Sequence, residues 1–119
     1  MSFGSFLEIV ASTSDDELDI HLLPQSRMLC LDEQLIPDFI GRFEEMNEDW
    51  NKLNNILKRE GLPNLGMLPR KNIRRTSDKR DTACYFEDPG FVHTATQRYR
   101  DDFEMFYANR AAEELFRGY

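Results

Sequence analysis

With 119 residues and a formal net charge of −7, the chain has room for one small domain or one portion of a larger one, and so for a core of modest size. Forty percent hydrophobic and 12% aromatic residues exclude wholesale disorder even with 31% charged. The acidic balance excludes a general nucleic-acid binder, which carries a basic face.

In chain order, Phe3, Phe6, Leu7 and Val10 fall at i, i+3, i+4 and i+7, which predicts a helix over 3–12 opened by Ser2 or Ser5. The acidic, polar stretch from Ser12 to Asp19 reads as a loop or a frayed turn facing water, although Ser14 and Glu17 have capping-box spacing. Short apolar runs follow at Met28–Leu31 and Phe39–Gly41, separated by Asp32, Glu33 and Pro37, and a buried strand is expected at about 38–42. Phe43, Met46, Trp50, Leu53, Ile56 and Leu57 then repeat at spacings of three and four. Acids lead this stretch and Lys58 and Arg59 end it, predicting a helix over 43–60 that stops at Gly61 and Pro63. Residues 62–89 hold three of the five prolines and no sustained periodicity, which predicts a long loop, and loops longer than about 12–15 residues are commonly functional. A last helix is expected over 90–107, with Phe91, Ala95, Tyr99, Phe103, Phe106 and Tyr107 on one stripe and an extension to 116. The expectation is a mainly α-helical segment with one or two short strands and a long basic loop.

The long loop holds the sharpest chemical signal. Between Arg70 and Arg80 stand six basic residues, Arg70, Lys71, Arg74, Arg75, Lys79 and Arg80, against the single acid Asp78, with Thr76 and Ser77 among them. Guanidinium forks, an ammonium and hydroxyl donors are what a phosphate or sulfate ester requires. On composition alone, a solvated turn offsetting the acidic helices explains the cluster equally well. His21 lies two residues after Asp19, whose carboxylate can orient the imidazole for general-base work, although a histidine bonded to backbone is the commoner outcome. The acids Glu44, Glu45, Glu48 and Asp49 sit where a helix N-terminus favours negative charge, which explains them without a metal. Cys30 and Cys84 are far apart and lack zinc-ligand spacing, so two reduced thiols and no metal site are expected. There is no apolar run of about 20 residues and no basic, apolar leader, which predicts a soluble segment without membrane contact or targeting signal.

Three ordered motifs resemble the carbohydrate sulfotransferases: His21-Leu22-Leu23-Pro24-Gln25, then Asp38-Phe39-Ile40-Gly41-Arg42-Phe43-Glu44, then Glu48-Asp49. They follow the order of the chondroitin 4-O-sulfotransferase-like members, with Leu22 where that pattern has an aromatic residue. The stretch Arg74–Arg80 resembles the basic, hydroxyl-bearing C-terminal loop of the heparan sulfate 2-O-sulfotransferases, and Tyr99–Phe106 resembles the family's terminal helix. The resemblance implies an α/β, P-loop-like fold of which this chain is the C-terminal part. It implies 3'-phosphoadenosine 5'-phosphosulfate as co-substrate and no metal. Arg74, Thr76 and Lys79 would be its principal contacts, Arg75 and Arg80 secondary ones, and His21 would lie near the carbohydrate acceptor. The early phosphosulfate-binding loop has no counterpart here, so the segment is expected to be inactive alone and to complete itself with an N-terminal sulfotransferase portion or as a homo-oligomer. A bacterial parent places it in the cytoplasm, a eukaryotic one in the Golgi lumen. The competing reading is a non-enzymatic helical module that binds an anion or a protein through residues 70–80.

Overall fold

The computed structural model describes residues 1–69 and 82–110. The chain divides into two compact units, Met1–Ile36 with Lys79–Tyr119, and Pro37–Asp78. Among the described residues the fold is mainly α-helical with one pair of short antiparallel strands, and neither a P-loop nor a parallel sheet is present.

In the first unit, helix α1 spans Phe3–Ser12. Ser2 starts it by accepting the Ser5 amide at 3.1 Å, and the Thr13 hydroxyl closes it by donating to the Ile9 carbonyl at 2.6 Å. Its apolar side buries Leu7 and Val10. That side packs on α4, Pro89–Arg98, which contributes the buried Ala95 and starts at Asp88, whose carboxylate accepts the Gly90 amide at 2.8 Å. The helices approach closely at Gly4, where an added Cβ would stand 2.9 Å from the Phe91 ring. Phe3 meets Phe86 and Phe91 edge-on at centroid distances of 5.2 and 5.5 Å, geometries that favour aromatic pairs beyond area alone. Phe86 belongs to a 3-10 turn, Thr82–Phe86, inside the stretch expected to be loop. The helix expected over 90–107 breaks at Tyr99 into α4 and α5, Arg100–Phe106, and the proposed extension to 116 lies outside the described residues.

Helix α2, Gln25–Leu29, packs on α5 and leads into a hairpin of β1, Cys30–Leu31, and β2, Gln34–Leu35, in which Cys30 faces Leu35 and Leu31 faces Gln34. Asp32 and Glu33 turn this hairpin at φ 49° and 65°, both left-handed and without a glycine.

In the second unit the strand expected at about 38–42 does not form. A strand needs a ladder partner, and among the described residues none lies beside this stretch; instead the Arg42 amide donates to the Asp49 side chain at 2.8 Å. A 3-10 turn, Phe43–Glu45, opens into α3, Met46–Arg59. The helix ends as its sequence predicts, with Gly61 at φ 71° and the Leu62 amide reaching back to the Leu57 carbonyl at 2.8 Å. Beyond it the chain folds back onto α3. The Gly66 carbonyl accepts both Trp50 Nε1 at 2.9 Å and Asn54 Nδ2 at 3.2 Å.

Candidate functional site

The residues of the first and last motifs, about 75 positions apart in sequence, are bonded to one another. Asp102 in the first turn of α5 accepts the Gln25 amide at 2.8 Å and the Ser26 amide at 2.7 Å, covering two donors that the start of α2 leaves without intrahelical partners. The Tyr99 hydroxyl donates to the Leu22 carbonyl at 2.7 Å, and burial pushes this phenol above its ordinary range. The 3-10 turn Ile20–Leu22 and its Pro24-Gln25 continuation are thereby fixed to α4 and α5. Leu22 and Gln25 line an open, largely apolar groove of about 280 Å³, together with Phe6, Tyr99, Phe103 and Tyr107.

His21 projects from this fixed turn, and its side chain is 88% exposed. Asp19 caps the turn: a single carboxylate oxygen, Oδ1, lies 2.8 Å from the His21 backbone nitrogen and 2.8 Å from His21 Nδ1. These two hydrogen bonds hold the Asp19 carboxyl below the usual carboxylate range. The Nε2 edge of the ring has no hydrogen-bond partner among the described residues. An imidazole anchored on one side and open on the other can exchange a proton with a molecule arriving from solvent.

The middle motifs also meet, within the second unit. The Asp49 carboxylate, only 7% exposed, accepts the Arg42 amide and lies 3.3 Å from Lys52 Nζ, which also reaches Glu48 at 3.4 Å. The bond from the Arg42 amide, more than the lysine, keeps Asp49 below the ordinary carboxylate range. Asp49 thus explains why an acid stands one turn into α3 after Gly41-Arg42: it shapes the backbone and is not poised for acid–base chemistry. Among the described residues, no group of three or more His, Cys, Asp or Glu is arranged to hold a metal ion.

Arg74, Arg75, Thr76, Lys79 and Arg80, the nucleotide contacts expected from sequence, lie outside the described residues. The residue that sequence reasoning missed is Arg98. Its guanidinium, 12% exposed, donates to the Val10 carbonyl at 2.9 Å, to the Thr13 carbonyl at 3.1 Å and to Asp15 at 2.7 Å, so it finishes α1 from across the unit. Its partners lie 83 to 88 positions away, beyond the reach of any local pattern.

The model of the Sulfotransferase family matches residues 1–108, which takes in the first four of the five motifs in full and the last, Tyr99–Phe106, as well. The chain belongs to the sulfotransferase family. No curated protein and no solved structure matches it.

Proposed function

We propose that this chain contributes the C-terminal part of an enzyme that transfers a sulfuryl group from 3'-phosphoadenosine 5'-phosphosulfate to a carbohydrate hydroxyl. The observation that carries this reading is family membership across residues 1–108, with the His21–Gln25 and Tyr99–Phe106 motifs held together as one scaffold. The side chains at 70–80 fit the co-substrate in their chemistry, since Arg74, Thr76 and Lys79 offer a fork, a hydroxyl and an ammonium to phosphate oxygens, and Arg75 and Arg80 add charge.

In the transfer, the acceptor oxygen bonds to sulfur as the sulfur–oxygen bond to the nucleotide phosphate breaks. The electron pair leaves on adenosine 3',5'-bisphosphate and the acceptor proton passes to a base, for which His21 Nε2 is the candidate. Cations on the departing phosphate act by the same electrostatics that govern phosphoryl transfer. An N-terminal portion or a second copy supplies the phosphosulfate-binding loop. The carbohydrate specificity rests on the motif resemblance.

Calorimetry with adenosine 3',5'-bisphosphate tests the reading. The full chain binds, and Arg74→Ala and Lys79→Ala each weaken binding by about 10-fold or more, the loss of a charge-assisted hydrogen bond. Equal binding by all three chains that fades with salt would reduce the cluster to a diffuse basic patch and favour the non-enzymatic anion- or protein-binding module.

A further inference from the structure

We propose that Asp19 is a positioning residue: it fixes the proton of neutral His21 on Nδ1 and so leaves the Nε2 lone pair as the open, proton-accepting edge of the ring. The inference rests on reading His21 as the proton acceptor in sulfuryl transfer. Its basis is a contact of two donors with one oxygen. Asp19 Oδ1 receives the His21 backbone N–H at 2.8 Å and stands 2.8 Å from Nδ1. An ionised carboxylate only accepts, so a neutral imidazole at that distance must place its hydrogen on Nδ1. The backbone bond matters as much as the ring bond. It makes Asp19 the cap of the Ile20–Leu22 turn, which stops the carboxylate from rotating away as an isolated surface acid would. The turn is in turn held by the Tyr99 hydroxyl on the Leu22 carbonyl and by Asp102 on the Gln25 and Ser26 amides, so the ring is oriented against a packed scaffold although it is itself exposed.

Neutral imidazole free of such a contact prefers its proton on Nε2, which would present a donor to an arriving hydroxyl. The Asp19 contact reverses that preference and presents an acceptor. The acceptor hydroxyl then gives its proton to Nε2, and the resulting imidazolium, a donor on both nitrogens, keeps its bond to Asp19.

Proton–nitrogen correlation spectroscopy of the isotope-labelled full chain, in mildly alkaline buffer, reads the tautomer directly. The chain has two histidines, so His93→Gln assigns the signals, and His93, exposed on α4, serves as the reference. The expected result is His21 mainly protonated at Nδ1 and His93 mainly at Nε2. Asp19→Asn keeps a good cap residue without the charge, and it lowers the His21 ratio of Nδ1–H to Nε2–H by about two- to fivefold, the scale of an exposed ion-pair contact. Asp19→Ala lowers it further, with the backbone spectrum confirming that α1 and α4 stay folded. A majority of Nε2–H on His21 in the unaltered chain, or a ratio that neither variant moves, overturns the proposal. In the assembled enzyme, full transfer by His21→Gln alongside an Nδ1–H tautomer overturns the catalytic reading of His21 instead, which tells the two failures apart.

Discussion

Two side chains carry much of the local order, and each makes a separate prediction. The Asp49 carboxyl is held below the ordinary range by the Arg42 amide, so its contribution to stability is fully present above its unfolded value near 3.9. That contribution is lost as pH falls through the lower, folded value. Asp49→Asn is therefore less stable than the parent at neutral pH, and the gap closes in acid below about pH 4; amide exchange at Arg42 as a function of pH measures it. A gap that is constant with pH would mean that Asp49 acts by shape and not by charge. Arg98 acts through geometry: three acceptors around one planar fork at the end of α1. Arg98→Ala leaves half-buried carbonyls of Val10 and Thr13 without that donor and should destabilise the chain by about 2 kcal/mol in denaturant melts, and Arg98→Lys should recover only part of the loss.

At the scale of elements, what the sequence made legible was whatever is local. The three-and-four spacing from Met46 to Leu57, with Gly61 and Pro63 beyond it, is enough to place α3 and its end, because a helix and its stop signals are written within a few residues. The hairpin at Cys30–Leu35 was illegible for the converse reason. Its two-residue turn is of the kind that favours Asn-Gly, and here Asp32-Glu33 occupy it in left-handed conformations without that local signal. The apolar run at Phe39–Gly41 looks like a strand because burial and β-branching are local, whereas a ladder partner is not. The break at Tyr99, where the backbone leaves helical angles at φ −106° and ψ 27°, was hidden as well, since the apolar stripe runs through it without interruption. The turn gives a direct test: Glu33→Gly removes a left-handed penalty and should stabilise the chain by about 0.5–1 kcal/mol, measured as a higher denaturant midpoint at unchanged slope. Glu33→Val should shift it the opposite way.

For the molecule as a whole, the two units differ in what they bury. Among the described residues every buried hydrophobic side chain, Leu7, Val10, Ala95 and Phe106, belongs to the first unit, while in the second the buried residue is the polar Asp49 and the apolar stripe of α3 is only half-covered. His21 stands on the first unit, and Asp102, Tyr99 and Asp49 each hold backbone in place within their own unit. Local opening free energy follows buried apolar contact. One buried leucine or valine is worth about 1.5–3 kcal/mol, so a difference of a single such residue already slows exchange by about tenfold. Hydrogen exchange should find the amides of α1 and α4 protected at least about tenfold more than those of α3. Leu7→Ala, which removes about 2–5 kcal/mol of core packing, should lower protection in α1 and α4 and leave α3 as it was. If α3 loses protection in step with α1, the units unfold as one, and the division of the chain into a packed frame and a lightly held helix is wrong.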